Sequence, residues 1–233
     1  MVCMPDFGQF EKIIGITFKD KGLLRQAFVH RSYINENKDA GFGHNERLEF
    51  LGDAVLELVI TDYLYKKYPD KTEGDMTSYR SALVNATTCA AVATKLTMND
   101  FLMLSRGEAK DTGRARQFIL ANTLEALIGA IYLDQGYDVT RDFIYKNISP
   151  LIDSVIAEGS WIDSKSLFQE RAQDIEGATP IYKTLKEVGP DHDKRFTVGV
   201  YVKEKMVANG DGKSKQDAEQ AAAKKALEVK NWA

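Results

Sequence analysis

Three acidic side chains, Glu46, Glu49 and Asp53, recur at steps of three and four residues in the segment Asn45-Glu46-Arg47-Leu48-Glu49-Phe50-Leu51-Gly52-Asp53. On a helix advancing about 100° per residue, Glu49 and Asp53 fall about 60° and 20° from Glu46, so the three carboxylates form one stripe. Leu51, Val55, Leu58 and Val59 cluster on the other side and are expected to face a core. A stripe of acids alone is an ordinary solvated face. Phe50 argues against that reading, because it lies about 40° from Glu46, beside the acids and off the core stripe, where a soluble helix prefers a polar residue. A second segment, Ala121-Asn122-Thr123-Leu124-Glu125-Ala126-Leu127-Ile128-Gly129-Ala130, puts Asn122 and Glu125 on one face of a mostly apolar helix. An unpaired carboxylate there is costly, so Glu125 needs a partner. A cation shared with Glu49 and Asp53 would serve, and so would an arginine.

The elements that must carry these residues are helical from Phe10 to about Ile156. Apolar residues recur at three- and four-residue steps around 23–29, 47–64, 76–96, 117–133 and 139–156. Punctuation comes from Gly41 and Gly43, Pro69-Asp70, Gly107 to Gly113 and Gly136, and no strand is expected here. The short polar stretch Ala157-Glu158-Gly159-Ser160 begins a linker over 157–161. Beyond it, 164–176 is an amphipathic helix with Leu167, Phe168 and Ala172 inward. Residues 180–187 (Ile181, Tyr182, Leu185) and then Phe196, Val198, Val200 and Val202 alternate as strands do. Lys205 to Ala208 is a short third strand, and Ser214 to Lys230 an Ala-rich helix.

Composition narrows the classes. The 233 residues are 44% hydrophobic, which suits a folded protein of one large or two modest domains. No apolar run approaches a membrane span, and Met1 to Phe10 lacks a secretion leader, so no membrane partner and a cytoplasmic location are expected. Cys3 and Cys89 are distant and read as free thiols, while His30, His44 and His192 form no zinc constellation. The net charge of −3 does not announce nucleic acid. Residues 1–160 hold 18 Lys and Arg against 22 Asp and Glu, and 161–233 hold 13 against 12, so any nucleic-acid contact comes from local clusters.

Asn45 to Asp53 resembles the signature of ribonuclease III, Ala27-Phe28-Val29-His30-Arg31-Ser32-Tyr33 resembles its upstream block, and Ile119 to Asp134 resembles its second acidic motif. The C-terminal α-β-β-β-α order resembles the double-stranded-RNA-binding domain of bacterial members. The resemblance implies two domains, an all-α catalytic and dimerisation domain over 6–156 and an α+β RNA-binding domain over 162–231. It implies Mg²⁺-dependent hydrolysis of both strands of double-stranded RNA to 5′-phosphate and 3′-hydroxyl ends, in processing of ribosomal and messenger RNA, with Mn²⁺ able to substitute. Glu49, Asp53, Asn122 and Glu125 match the metal positions, Asp53 and Glu125 the central catalytic ones, and Glu46 a supporting one. Glu46 equally fits an acid placed at a helix N-terminus by the dipole. Phe50 matches a knob that enters a socket on a second subunit of a homodimer. Gln169 and Glu170, the turn Gly189-Pro190-Asp191-His192-Asp193, and Lys213, Ser214 and Lys215 match three RNA-contact regions. A helix N-terminus with lysines attracts phosphate, although Ser214 also reads as an ordinary cap.

The chain departs from the family at Asn122, where Asp is usual, and at Gln216, where a basic residue is frequent. An Asn carbonyl still ligates Mg²⁺ but brings no charge. A tolerated natural variant, an impaired enzyme and an engineered change all fit, so a catalytically impaired double-stranded-RNA-binding protein stands as the alternative. His30 and His44 read as structural. Lys110, Arg114 and Arg116 read as an RNA-touching or a solvated loop, and Glu73 and Asp75 as helix-capping acids or an RNA-facing pair.

Overall fold

The structure is a computed structural model and describes residues 5–158, 163–190 and 194–232. The chain divides into two compact units, Met1–Trp161 and Ile162–Ala233. The first is all-α. Its helices are α1 (Phe7–Ile14), α2 (Lys21–Ala27), α3 (Arg31–Glu36), α4 (Glu46–Lys67), α5 (Glu73–Val84), α6 (Ala86–Lys95), α7 (Arg114–Gln135), α8 (Tyr137–Asn147) and α9 (Ile152–Glu158).

The centre is the crossing of α4 and α7. Helix α7 is buried almost all round, from Ile119 to Ile131, as its lack of an apolar stripe implies. Two glycines let the backbones touch. A Cβ on Gly52 would overlap the Glu125 carbonyl oxygen and lie 2.8 Å from the Gly129 nitrogen, and a Cβ on Gly129 would overlap the Leu48 carbonyl oxygen. Glycine in a helix interior costs about 1 kcal/mol against alanine, and here the cost is offset by this approach.

That contact line corrects one expectation. Leu48, Val55, Leu56 and Val59 lie within about 60° of Gly52 and are buried, whereas Leu58 lies about 120° away and is 57% exposed. Leu58 therefore belongs to the outer face with Phe50. Two long helices expected from periodicity are each broken. The 76–96 segment bends at Asn85, whose side chain accepts from the Thr88 amide at 2.9 Å and caps α6. The 139–156 segment is interrupted by a turn at Ser149–Leu151 containing Pro150, which cannot continue a helical ladder.

An isolated parallel bridge joins Val29 to Met103, a strand-like contact that helical periodicity does not reveal. Asn45 fastens to it. Its backbone amide donates to the Val29 carbonyl at 2.9 Å, and its buried side-chain amide donates to the Ala27 carbonyl at 3.1 Å. The residue that opens the acidic segment thus fixes where α4 starts. Asp134 does similar work, accepting from the Lys19 and Asp20 amides at 2.8 and 2.7 Å.

The second unit runs α10 (Ser164–Glu176), β1 (Ile181–Val188), β2 (Arg195–Val202), β3 (Lys205–Gly212) and α11 (Lys215–Lys230). The strands form one antiparallel sheet in the order β1-β2-β3. Val200 and Val202 pack with Phe168, Ala172 and the Ala222–Ala223–Ala226 side of α11. Strand β3 is longer than expected because Gly210 and Gly212 let it run directly beneath α11, where a Cβ on either would meet the backbone at Ala222 or Ala218. Strand β1 does not bury alternate residues. Ile181 and Leu185 are exposed on the outer sheet face, and the pairing with β2 is irregular between Thr184 and Lys186. Among the described residues no helix is long and apolar enough to cross a membrane.

Candidate active site

The Gly52–Gly129 crossing sets the geometry of the acids. Asp53 and Glu49 stand one residue and one turn from Gly52 on α4, and Glu125 and Asn122 stand one and two turns before Gly129 on α7. The four side chains read from the sequence as metal positions are therefore gathered at one place, with their charges in mutual range. Burial, then the Asp53 and Glu49 charges, push the Glu125 carboxyl up to about 7. Burial and Glu46 also raise Glu49, while a side-chain hydrogen bond from Asn122 pulls it back. Among the described residues no arginine or lysine pairs with Glu125, so the arginine alternative for its partner is not realised.

Among the described residues no three His, Cys, Asp or Glu side chains close into a finished cation cage. The donor set is nonetheless all oxygen, three carboxylates and an amide. That chemistry suits a hard cation that keeps much of its water and completes its shell with substrate phosphate. Without a cation the cluster is a liability with a definite pH signature. An acid raised in the folded state binds more protons folded than unfolded, so its favourable contribution is full below its ordinary value of 4.5 and is lost as pH rises toward 7. Cation-free protein is expected to show a falling Tm from pH 5 to 7.5 in thermal denaturation. Glu125→Gln should flatten that slope, and added Mg²⁺ should restore Tm at the upper end.

The neighbouring residues fall into place as supports. Glu46 occupies the first turn of α4 at the edge of the cluster, its carboxylate pairing with Arg31 at 3.4 Å and its backbone amide donating to His44 Nδ1 at 3.4 Å. His30 caps α3, accepting from the Ser32 amide at 3.3 Å, and burial lowers its basicity. Cys89 is buried, and its thiol is pushed up to about 12 by burial and by Glu125 and Asp53, so it is no nucleophile. Arg116 turns inward, donating to Asn99 Oδ1 at 2.9 Å and the Glu108 carbonyl at 2.7 Å, which removes it from the basic loop as a phosphate ligand. Thr72 caps α5 in a reciprocal box with Asp75. Sequence reading missed Gly52, Gly129 and Asn45. The signal for the glycines was present, because each interrupts a strongly helical run.

Phe50 is 82% exposed. With Ala54, Leu58, Thr61 and Tyr65 it lies within about 80° on the outer side of α4, and Leu58 and Tyr65 are exposed as well. Near the far end of this stripe a cavity of about 150 Å³ opens among Thr61, Tyr65, Met76, Thr77 and Arg80.

In the second unit, Gln169 and Glu170 are exposed on α10, and Lys213 and Lys215 are exposed at the start of α11. Ser214 is the N-cap. Its hydroxyl accepts from the Asp217 amide at 3.1 Å, and its amide donates to Asp217 Oδ2 at 3.1 Å. Lys215 lies over the Phe196 ring at 5.8 Å. His192 lies outside the described residues.

Comparison with known proteins identifies both units. Residues 20–152 match the ribonuclease-III-like family model, and 164–230 match the double-stranded RNA binding motif. The chain is 46% identical to Ribonuclease 3 of Protochlamydia amoebophila over 93% of its length and 89% of that protein. It is also 46% identical to Ribonuclease 3 of Desulforamulus reducens over 92% and 87%. A solved nuclease domain of the Campylobacter jejuni ribonuclease III matches with 38% identity and a TM-score of 0.56, covering 65% of this chain and 96% of that one. A second structure of that domain, concerned with flexibility in its dimer-forming region, matches with 40% identity, a TM-score of 0.55 and coverage of 61% and 98%. An all-α unit with its acids gathered at one helix crossing, followed by an RNA-binding unit, makes this chain a member of the ribonuclease III family and an endoribonuclease.

Proposed function

We propose that the chain is a homodimeric, Mg²⁺-dependent endoribonuclease that hydrolyses both strands of double-stranded RNA, leaving 5′-phosphate and 3′-hydroxyl ends. The observation that carries this is Glu125. It is a carboxyl held among other carboxylates, in a largely apolar helix, with no cationic side chain to pair it among the described residues. Carboxylates repel the phosphodiester they must approach. A bound divalent cation supplies a hydroxide-like nucleophile at neutral pH and stabilises the attacking and leaving oxygens. Glu49, Asp53, Asn122 and Glu125 would hold it, with Asp53 and Glu125 central and Glu46 supporting. Mn²⁺ offers the same preference for oxygen donors. Asn122 brings a carbonyl but no charge, and its hydrogen bond to Glu49 partly offsets the upward shift that burial and Glu46 impose on that carboxyl. It therefore weakens the ion's binding without dismantling the site, which favours a working enzyme over an impaired RNA-binding protein.

Gln169, Glu170, Lys213, Ser214 and Lys215 serve the other end of the substrate. Duplex RNA offers 2′-hydroxyls across its minor groove and phosphates beside it. The two lysines and the α11 N-terminus suit phosphate, and the polar α10 pair suits hydroxyls. Structured precursors of ribosomal RNA and hairpins in messages, in the cytoplasm, are the expected substrates. The test is a long perfect duplex incubated with protein and Mg²⁺, followed by analysis of the ends. Ends that are phosphorylated at 5′ and free at 3′ support the reading, and cyclic or 3′-phosphate ends contradict it.

Dimerisation follows from the outer stripe of α4. A two-fold axis pairs two sites that each cut one strand, and an isologous contact lets Phe50 of each subunit enter the partner's cavity beside Tyr65 and Met76. Phe50→Asp is expected to convert the dimer to a monomer in analytical ultracentrifugation at micromolar concentration. An unchanged sedimentation coefficient contradicts the knob assignment.

A further inference from the structure

We infer that Arg114 grips a backbone phosphate beside the one being cut, and that Phe118 is the positioning residue that holds its guanidinium there. The inference rests on the reading of the chain as a metal-dependent nuclease of duplex RNA and gives it a substrate contact outside the acids. From Ile119 to Ile131, α7 meets solvent at only two residues. All others in that span are buried, while Asn122 and Glu125 are half-buried. At about 100° per residue, Asn122 lies about 60° from Glu125, and Phe118 and Arg114 lie about 20° to either side of it. The four side chains therefore share one side of α7. The wet line that begins at the acids continues through Phe118 to Arg114.

Phe118 is 47% exposed. A single exposed aromatic is ordinary, but this one has a partner. The Arg114 guanidinium lies 5.8 Å from its ring centroid, at the i,i+4 spacing that brings helix neighbours together. Arg114 is itself exposed and has no ion pair or side-chain hydrogen bond among the described residues. The other two arginines around the acids are engaged. Arg31 pairs with Glu46 at 3.4 Å, and Arg116 donates to Asn99 and to the Glu108 carbonyl. Of these three, Arg114 alone keeps its fork free for an anion. A guanidinium stacked on a ring presents its N–H groups edgewise, in the geometry that matches two phosphate oxygens. Stacking also removes side-chain freedom before the substrate arrives, so less is lost on binding.

The pair stands close to the cut. Phe118 precedes Asn122 by four residues, about 6 Å of helix rise. Successive phosphates advance by only a few ångström along a duplex axis. A strand whose scissile phosphate meets the acids therefore brings a flanking phosphate within reach of this pair. Carboxylates repel that phosphate as they do the scissile one, and a free guanidinium one turn from Asn122 offsets the repulsion beside the cut. The subunit contact proposed on α4 lies elsewhere, because Phe50 is about 160° around that helix from Gly52, where α7 crosses.

The test uses the full chain, Mg²⁺ and a long perfect duplex. Both side chains are exposed, so the variants keep the parent's fold. Arg114→Gln is expected to raise KM about tenfold, the lower end for a lost charged hydrogen bond, and to leave kcat within about twofold. Duplex affinity is measured on chains that also carry Glu125→Gln, so that the RNA stays whole. There the slope of log affinity against log salt should fall by about one for each Arg114 that leaves the RNA. Phe118→Leu keeps the charge but frees the guanidinium. KM should then rise about two- to fivefold with the salt slope unchanged, and Phe118→Tyr should behave as the parent. Because Phe118 acts through Arg114, adding Phe118→Leu to Arg114→Gln should change nothing further. An Arg114→Gln chain with the parent's KM or the parent's salt slope overturns the inference. So do additive effects of the two substitutions, which would place Phe118 itself on the RNA. A Phe118→Leu chain that sediments as a monomer overturns it too, because Phe118 would then be buried between subunits. If the unmodified chain cuts no duplex, the nuclease reading falls, while a salt slope that still drops with Arg114→Gln keeps Arg114 as a phosphate contact.

Discussion

Glu125→Gln is expected to abolish cleavage of double-stranded RNA, lowering the rate by about 10³-fold or more at any Mg²⁺ concentration, while leaving RNA binding intact. Loss of a group that acts on the reacting atoms costs on the order of 10²–10⁴-fold where it handles a proton, and the loss is at least as large where it also holds the cation. The substitution keeps size and shape, so the packing of α7 is preserved. It removes a carboxyl already pushed up to about 7 by burial and by Asp53 and Glu49. The variant should therefore be no less stable than the parent in the absence of cation. Gel-shift binding of a perfect duplex, thermal denaturation and single-turnover cleavage together separate loss of chemistry from loss of fold. A Glu125→Gln protein that cuts within tenfold of the parent rate would remove Glu125 from the chemistry.

Gly52→Ala is expected to destabilise the first unit by about 3 kcal/mol or more, the upper part of the range for overpacking. The added Cβ would overlap the Glu125 carbonyl oxygen and lie 2.8 Å from the Gly129 nitrogen, both on rigid helical backbone. The two helices can only part, which also draws Glu49 and Asp53 away from Asn122 and Glu125. For a unit of this size the loss corresponds to a Tm lower by about 6–12 °C, and cleavage should fall at temperatures where the variant is still folded. Gly15→Ala is the control. It has a left-handed φ of 74° but nothing within 4 Å of the added carbon, so it should cost only about 1–2 kcal/mol and leave cleavage untouched. A Gly52→Ala chain as stable as the parent, or more stable as helix propensity alone would make it, would contradict the close crossing.

The spacing of the acids made it readable that Glu49 and Asp53 share one helix face and Asn122 and Glu125 another, because three- and four-residue steps have one meaning on a helix, while the meeting of the two faces was implied only by the family resemblance. The alternation at Val198, Val200 and Val202 made the central strand of the second unit equally plain. The rotation of α4 was not readable. Leu58 looks like a core residue in an apolar count, yet the contact line is drawn by Gly52, a residue that contributes no apolar surface of its own. The breaks at Asn85 and Pro150 are local capping and ring effects that periodicity averages away. Arg116 shows a different limit. Its charge suggests solvent or phosphate, and only the fold supplies the Asn99 and Glu108 acceptors that turn it inward. The Tyr33–Phe42 ring contact joins residues nine positions apart through an irregular loop, so no regular period could announce it.

The central claim, that the acids at the α4–α7 crossing hold a cation which cuts duplex RNA, is tested most directly by titrating Mg²⁺ against cleavage of a long perfect duplex by the unmodified chain. The expected result is short duplex products that appear with Mg²⁺ and vanish with chelator, and an Asn122→Asp chain that reaches half its maximal rate at lower Mg²⁺. Binding without cleavage at every Mg²⁺ concentration, in both proteins, would contradict it.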